Sequence, residues 1–446
     1  MGIEVSAEVI TIFMLGGILV GVLTGFPLAY VIGFLGLIVG IYVWEEAIAQ
    51  VFYLRMYRLM INYFLLAVPL FVFMGSMLER SGIIERLYES LYVWLGGFRG
   101  GLALVTVMVG TVMAATVGII TASVTLLTLV ALPSMVKRGY SKSFAAGACT
   151  AGGILGILIP PSIMIVIYGP MAEVSVGKMF FGAFIPGFIL AASYITYIAV
   201  RSAIQKDIAP PVPVEERAVP FLKKTADLAV ALVPPGILIF SVLGVIFMGI
   251  APPTEAAGVG AFMATMLTIA YRKFSWPVLR DVMTTTLRLA GFIFLVGSMS
   301  FAFVGVFLGA GGGEVVTDFI LGMPGGKWGA FGVIMFIVFL LGFFIDWIGI
   351  LFIMVPIITP IFEVLGFDPV WAAIMVCVNL QTSFMTPPFA MGIYICKGAA
   401  DPSLGVTVAD IIRGVIPYVL IVLVVIVLLA IFPQLITWLP GQMITR

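Results

Sequence analysis

The feature that most constrains the fold is a Pro-Pro pair that occurs twice, each time inside a long apolar stretch. The pairs are Pro160-Pro161 and Pro387-Pro388, and 387 − 160 = 227, about half of the 446 residues. A proline inside a helix removes one backbone donor and disrupts the preceding turn, and the freed carbonyls are tolerated within a membrane only beside protein or a wet cavity. The sequence therefore predicts two broken helices, one in each half.

The polar surface of this chain is too small to cover a soluble globule. Hydrophobic residues make up 62% of the sequence and charged residues 10%, whereas soluble domains carry about 25% charged residues. Crossing a hydrocarbon core about 30 Å thick takes roughly 20 apolar residues as helix, and the long apolar runs fit helices better than alternating barrel strands. We therefore expect an all-α polytopic protein in a lipid bilayer, with no nucleic acid as partner.

Residue counts exclude several kinds of chemistry. The chain has no histidine, which removes imidazole metal ligands, histidine proton relays and catalytic triads built on that base. Cys149, Cys377 and Cys396 stand alone in apolar segments without a CxxC spacing, and we interpret them as small hydrophobic residues. The sequence thus predicts neither an enzyme nor a bound cofactor.

The first half contains an apolar run of unusual length at about 101–133. It covers 133 − 101 + 1 = 33 residues and carries hydroxyl residues at its centre, which is too long for one span and too short for two. We predict a re-entrant helical hairpin there. Around it we expect spans at about 7–24, 27–44 and 63–79, interfacial helices near Arg55 and at 82–99, a broken span at 144–171 and a span at 181–200.

A polar linker at 201–225, rich in Lys and Arg and containing a Pro-Pro-Val-Pro run, precedes the same order of elements in the second half. There the sequence predicts spans near 227–249, 254–271 and 284–310, a hairpin at about 327–360, a broken span at 370–396 and a last span at 414–432. We therefore divide the chain into a first repeat over 1–200 and a second repeat over 226–446.

Matched landmarks support an internal duplication. The segment Gly139–Pro161 aligns without gaps on Gly366–Pro388, and Pro133 and Pro356 precede these segments as matching landmarks. Each copy contains five crossings and a hairpin that returns to its own side. Because five is an odd number, the second copy has to lie upside down relative to the first.

Charge gives an independent test of this inversion, because Lys and Arg in short loops mark the cytoplasmic side. The loop after the first hairpin holds Lys137, Arg138 and Lys142, whereas the loop after the second holds Glu363 and Asp368 and no base. This contrast predicts opposite orientations for the two copies, with both termini outside. The bases that fall outside against the rule are Arg55, Arg58, Lys178 and Lys327.

Polar residues cluster beside each predicted break and hairpin tip. The first candidate site comprises Thr116, Gly118, Thr121, Ser123, Gly153, Gly156, Leu158 and Pro160. The second comprises Asp346, Gly349, Asn379, Gln381, Thr382, Ser383 and Thr386, and the solute region comprises Pro161, Ser162, Pro387 and Pro388. Hydroxyl, amide and carbonyl oxygens are hard ligands, and the ends of half-helices attract ions, so we expect two Na⁺ sites and no other metal.

Each of these residues also has a structural interpretation. Small and hydroxylated residues let membrane helices pack closely, which accounts for any single Ser or Thr, although not for clusters beside both breaks. Glu255 follows Pro252-Pro253-Thr254 near a span end and suits an interfacial helix cap. Asp346 lies deeper, where a carboxylate costs about 2.5 to 3.5 kcal/mol, and we expect it to have a function. Arg288 begins a span, and we expect it to snorkel to the interface.

Four motifs together resemble a known family. They are the segments 153–162 (GILGILIPPS), 253–257 (PTEAA), 342–347 (GFFIDW) and 386–388 (TPP), in this order. They resemble the DctM-like large membrane subunit of tripartite ATP-independent periplasmic (TRAP) transporters, and the likeness covers nearly the whole chain. One departure is the first hairpin tip, where many members carry a Ser-Gly-Ser type sequence and this chain reads VGIITAS over 117–123, so Thr116, Thr121 or Ser123 would supply the hydroxyls.

The resemblance implies an elevator-type secondary transporter with two inverted-topology repeats in the inner membrane of a prokaryote. It implies Na⁺-driven uptake of an organic acid that a periplasmic substrate-binding protein delivers, together with a small four-helix membrane subunit. The hairpins and broken spans would form the moving unit, and the other spans the scaffold.

Two other hypotheses remain open from the sequence. A stand-alone transporter of the same architecture would take up its solute without a binding protein, and uptake by the purified chain alone would identify it. An intramembrane enzyme would need a second deep acid to pair with Asp346, and the sequence shows none.

Overall fold

The computed structural model describes residues 5–213, 215 and 219–443, and within these ranges every regular element is helical. Arg217 of the predicted linker lies outside the described residues. The first-half helices are α1 (Ala7–Leu23), α2 (Leu28–Trp44), α3 (Ile48–Met60), α4 (Ala67–Glu79), α5 (Ile83–Leu95), α6 (Gly101–Val117), α7 (Ile120–Lys137), α8 (Lys142–Ile154), α9 (Ile163–Met171) and α10 (Val176–Ile204).

The second half repeats this order after a linker. Its helices are α11 (Phe221–Ile239), α12 (Val245–Phe247), α13 (Pro253–Ala270), α14 (Trp276–Gly309), α15 (Gly312–Leu321), α16 (Gly326–Leu341), α17 (Trp347–Val364), α18 (Pro369–Ser383), α19 (Met391–Ala399), α20 (Val408–Ile431) and α21 (Gln434–Thr437). Seven helical segments among the described residues are long and apolar enough to cross a membrane. An all-α polytopic membrane protein is therefore confirmed.

A pair of helices occupies each segment predicted as a hairpin, α6 with α7 and α16 with α17. Gly100 and Gly325 precede α6 and α16 with φ of 72° and 98°, and Gly139 and Gly366 follow α7 and α17 with φ of 81° and 70°. These left-handed conformations favour glycine, which explains why glycine recurs at matching positions. Each hairpin extends past the proline at which the sequence prediction ended it, because prolines are tolerated inside membrane helices whose neighbours satisfy the freed carbonyl.

Both Pro-Pro pairs lie in helix breaks. In the first half α8 ends at Ile154, a 3₁₀ turn covers Leu155–Ile157, and α9 begins at Ile163. In the second half seven residues separate Ser383 at the end of α18 from Met391 at the start of α19, since 391 − 383 − 1 = 7. The peptide bonds Pro160-Pro161 and Pro387-Pro388 are both cis.

The two halves pack on each other through corresponding helices. Helix α4 packs on α13 and α2 packs on α14, while α7 contacts α19 and α17 contacts α9. The last long helices of the halves, α10 and α20, meet through Tyr194 and Tyr418, whose ring centroids lie 4.9 Å apart edge to face. Each of these contacts recurs with the two halves exchanged, as expected of two inverted repeats. This packing brings the two breaks into one central region.

Several spans begin earlier than the sequence predicted, because polar residues cap them. Helix α10 begins at Val176 after Ser175, whose hydroxyl accepts the Lys178 N–H at 3.4 Å, and α14 begins at Trp276 after Ser275, which caps it in the same way. Helix α10 also continues to Ile204, so the linker between α10 and α11 covers 205–220.

Candidate functional site

A central cavity of about 90 Å³ lies where the hairpin tips meet. This volume is well below the range of about 300–1,000 Å³ that is typical of small-molecule sites, so an organic solute requires the site to open. The lining that the hairpins and breaks supply comprises Gly118, Ile119, Ile120 and Thr121 of the first hairpin, Asp346, Trp347 and Ile348 of the second, Ile157 and Ile163 around the first break, and Met391 after the second. Val72 of α4 and Leu289, Phe292 and Ile293 of α14 complete it.

The first hairpin tip is held against the first helix break. Helix α6 ends at Gly118, whose φ of 65° turns the chain toward α7. A Cβ at Gly118 would lie 3.3 Å from the Pro161 carbonyl oxygen, and a Cβ at Gly75 of α4 would lie 2.3 Å from the Val117 carbonyl oxygen. Because the last carbonyls of a helix lack intrahelical donors, the tip directs free oxygens into this region.

Ser123 is the clearest polar group of the first candidate site. Its side chain is fully buried, and its Oγ has no hydrogen-bond partner in the described part of the chain. A Cβ at Gly156 would lie 3.3 Å from this Oγ, and a Cβ at Gly153 would lie 2.8 Å from the Val124 backbone nitrogen. The two glycines therefore allow the break to approach α7 closely enough to face the Ser123 hydroxyl.

The other hydroxyls of this site differ in their availability. Thr116 donates to the Val112 carbonyl at 2.9 Å, and Ser162 donates to the Ile157 carbonyl. Thr121 lines the cavity and is partly exposed. The carbonyls of Leu158 and Pro160 accept no hydrogen bond from any described residue. The carbonyls of Leu158 and Pro160 and the Ser123 hydroxyl thus have no partner among the described residues, and the Thr116 and Ser162 oxygens keep lone pairs that can face a cation.

In the second half the free oxygens belong mainly to side chains. Asp346 precedes the first residue of α17 and lines the cavity, and its Oδ1 has no partner among the described residues. Ser383 lies against Gly342 at the end of α16, and its Oγ also has no hydrogen-bond partner among the described residues. Gln381 is fully buried, and neither its Oε1 nor its Nε2 has a partner in the described ranges.

Several residues predicted for the second site also make structural contacts. Asn379 donates through Nδ2 to the Met335 carbonyl at 2.7 Å and so joins α18 to α16. Thr382 donates to the Asn379 carbonyl at 2.6 Å, and Thr386 donates to the Thr382 carbonyl at 2.7 Å. A Cβ at Gly349 would lie 2.1 Å from Leu28 Cδ2, which places this glycine at the contact of α17 with α2.

The two breaks differ in exposure although their sequences match. Pro160, Pro161 and Ser162 are buried, whereas Pro387 and Pro388 are exposed. The segment after the second pair is nevertheless anchored, because the Phe389 N–H donates to the Phe343 carbonyl at 3.0 Å. The structure therefore presents one open and one closed side of the predicted solute region.

Glu255 lies outside the cavity. It is exposed in the first turn of α13, and its Oε1 accepts the Tyr63 hydroxyl at 2.6 Å. The hydrogen bond joins the start of α13 to the 3₁₀ turn Tyr63–Leu66 before α4. This geometry fits the interfacial structural interpretation of Glu255.

Sequence reasoning missed the part of the cavity lining that α4 and α14 supply. Leu289, Phe292 and Ile293 are apolar residues in an apolar helix, and no sequence signal separates them from lipid-facing neighbours. Arg288 precedes them in the interior of α14, twelve residues after the helix start at Trp276 (288 − 276 = 12), and its side chain is exposed.

The comparisons with known proteins agree with this architecture. Residues 15–435 match the family model for the DctM component of the tripartite ATP-independent periplasmic transporter. The chain is 28% identical to the C4-dicarboxylate TRAP transporter large permease protein DctM of Vibrio cholerae, over 98% of this chain and 97% of that protein. It is also 28% identical to the sialic acid TRAP transporter large permease protein SiaM of the same organism, over 85% and 86%.

A solved structure is similar in fold. The crystal structure of the Alcanivorax borkumensis YdaH transporter, described as having an unusual topology, superposes with a TM-score of 0.61 over 89% of both chains at 14% sequence identity. At this identity the likeness concerns the fold alone. By the family match, the chain is a transporter permease subunit of the inner membrane and not an enzyme. It belongs to the DctM family of large TRAP transporter subunits.

Proposed function

We propose that this chain carries an organic acid across the inner membrane by Na⁺-coupled secondary active uptake. The observation that supports the proposal most strongly is the central cavity, where tips from both halves meet and where Asp346 presents an unpartnered oxygen. Half-helix ends and freed carbonyls at the bilayer midplane are the features with which secondary transporters bind ions and solutes.

The first Na⁺ binds near Ser123 in this proposal. Its ligands are the Ser123 hydroxyl and the carbonyls of Leu158 and Pro160, with Gly118, Thr121 and Gly156 shaping the space around them. These are neutral hard oxygens that suit a small monovalent cation.

The second Na⁺ binds near Asp346, with Ser383 and Gln381 as further candidate ligands. All three side chains carry oxygens that lack protein partners in the part of the chain that the structure describes. A buried polar group without a partner costs free energy, about 1–3 kcal/mol, and a bound cation would recover it. Asn379, Thr382 and Thr386 hold the surrounding backbone in place in this proposal.

The solute is an organic acid whose carboxylate lies between the two cations, near Ser162 and the second Pro-Pro pair. Two relatives at the same 28% identity are named for C4-dicarboxylate and for sialic acid, so similarity to them supports the class of acids without selecting one member. The start of α9 at Ile163 also faces the cavity, and helix amino termini attract anions.

Movement of one unit against another delivers the solute in this proposal. The hairpins and broken helices, α6–α9 and α16–α19, form the moving unit, and α4 and α14 belong to the scaffold. The cavity lies between them, since Val72 and Leu289 face the tips from the scaffold side. The partners are a small four-helix membrane subunit and a periplasmic substrate-binding protein, as the word tripartite in the family description supports.

Reconstitution tests this proposal against a stand-alone transporter of the same architecture. The chain is placed in liposomes with and without the two partners, and uptake of labelled C4-dicarboxylates and sialic acid is followed under an inward Na⁺ or K⁺ gradient. We expect uptake only with both partners and the Na⁺ gradient. Uptake by the chain alone would support the stand-alone alternative, and equal uptake under K⁺ would refute Na⁺ coupling.

A further inference from the structure

An elongated apolar cleft of about 540 Å³ runs between α1 and the second hairpin. Helices α1, α15, α16 and α17 line it, and Glu8 and Thr11 are the only described lining residues with a charged or hydroxyl side chain. The volume is within the range of about 300–1,000 Å³ that is typical of small-molecule sites. The central cavity described above does not include any of its α1 or α15 lining.

The shape and surroundings of the cleft indicate what fills it. Its lining on α1 extends from Glu8 to Leu19, which is about 16 Å along a helix that rises 1.5 Å per residue. Two of its lining residues, Ile12 and Phe319, are 72% and 57% exposed, and such apolar side chains belong to the lipid-facing surface of a membrane protein. The cleft therefore opens to the bilayer, and a narrow apolar chain of lipid matches its length.

Two polar groups at one end give the occupant a direction. The Thr11 side chain is 5% exposed, and its hydroxyl has no partner in the described structure, whereas Thr106 and Thr150 donate to the carbonyl four residues earlier. Glu8 lies one helical turn beyond Thr11 at the mouth of the cleft. The Thr11 hydroxyl can donate to the ester carbonyl of a lipid, and the Glu8 carboxylate, one turn further out, can face a cationic headgroup.

The charge at the mouth selects among lipid headgroups. Glu314 and Asp318 on α15 are exposed next to the lining residues Val315 and Phe319, and no Lys or Arg occurs in the described lining. A headgroup that carries only its phosphate charge would be repelled here, whereas a zwitterionic headgroup has an ammonium whose attraction offsets the repulsion of its phosphate.

We propose that this cleft binds a phospholipid with an ethanolamine headgroup. One acyl chain lies along Gly16 toward Ile345, the Thr11 hydroxyl donates to an ester carbonyl, and the Glu8 carboxylate faces the headgroup ammonium. The bound chain contacts α1 and α15 on one side and the second hairpin on the other, next to Asp346. It thereby adds to the direct contacts that α15 makes with α16 and α17.

Native mass spectrometry of the purified, delipidated chain tests the proposal. The probes are phosphatidylethanolamine and phosphatidylglycerol with identical acyl chains. Gly16→Leu fills the cleft, since a Cβ at Gly16 meets no atom within 4 Å, and Gly236→Leu on α11 is the matched control with equally open space. We expect the wild type and Gly236→Leu to retain phosphatidylethanolamine and Gly16→Leu to lose it.

Two further variants test the polar end. Thr11→Val should weaken binding about fivefold, the effect of one neutral hydrogen bond. Glu8→Gln should abolish the preference for phosphatidylethanolamine over phosphatidylglycerol. Equal binding of both lipids by the wild type, or unchanged lipid retention by a folded Gly16→Leu chain, would overturn the proposal. If Gly16→Leu does not fold, the response of Thr11→Val decides in its place.

Discussion

The hydroxyl of Ser123 faces Gly156 so closely that a methyl group on the glycine would lie 3.3 Å from the Ser123 Oγ. One residue belongs to the second helix of the first hairpin and the other to the 3₁₀ turn at the first break. The Ser123 hydroxyl has no hydrogen-bond partner among the described residues. A hairpin and a break that are separate in the sequence thus form one polar position inside the protein.

Ser123→Ala should weaken Na⁺ coupling without destabilising the fold. Because the hydroxyl has no protein partner, its removal leaves no other group unsatisfied, whereas a bound cation loses one ligand. We expect the Na⁺ concentration for half-maximal uptake to rise about tenfold, equivalent to about 1.4 kcal/mol, with an unchanged melting temperature. Ser193→Ala is the control, since Ser193 donates to the Ile189 carbonyl at 2.7 Å on α10. An unchanged Na⁺ dependence would remove Ser123 from the site.

Gly153→Ala should destabilise the protein by about 1–3 kcal/mol, the usual cost of overpacking a close contact. The added methyl group would lie 2.8 Å from the backbone of Val124, which cannot move as a flexible side chain can. Gly258→Ala on α13 is the matched control, because its methyl group meets nothing within 4 Å. Thermal unfolding in detergent measures both variants, and equal melting temperatures would contradict the close packing of α8 on α7.

Asp346→Asn should abolish Na⁺-driven uptake, since it removes the charge from the one carboxylate among the described residues that line the central cavity. Glu255→Gln is the comparison, because Glu255 also belongs to one of the four motifs but lies outside the cavity. This variant should retain most uptake. Its hydrogen bond from Tyr63 is exposed, so we expect little loss of stability. The reverse pattern of activities would exchange the roles assigned to the two acids.

Cysteines at Thr121 and Ile348 should cross-link the two hairpins. Both positions line the same small cavity although 348 − 121 = 227 residues separate them. The background variant replaces Cys149, Cys377 and Cys396, which are buried and free. We expect a short bifunctional reagent to join the introduced pair and stop uptake until a reductant is added. A pair at Thr121 and Val259, the latter exposed on α13, should remain unlinked.

The sequence predicted the elements well because their signals are local. Apolar length and paired prolines located the hairpins and breaks, and glycines with positive φ mark their ends. The starts of α10 and α20 were missed by several residues, since the caps Ser175 and Thr407 stand in polar loops that apolar patterning ignores.

The site was predictable only where a polar residue interrupts an apolar run. Asp346 and Ser123 stand out in this way, whereas Leu289 of α14 becomes part of the cavity through tertiary packing alone. Thr382 and Thr386 were candidate ligands by composition, and only the structure shows that their hydroxyls also donate to the Asn379 and Thr382 carbonyls. Which neighbour a helix face meets, as for Gly349 against Leu28, is a property of the assembled bundle.

The most direct measurement is solute uptake by the complete three-part complex in proteoliposomes, with the wild-type chain and Asp346→Asn compared under an inward Na⁺ gradient and under no gradient. The account predicts concentrative uptake by the wild type that disappears without the Na⁺ gradient and with Asp346→Asn, while Glu255→Gln remains active. Concentrative uptake that persists without Na⁺, or that is unchanged in Asp346→Asn, would contradict a cation-coupled site at the meeting point of the two hairpins.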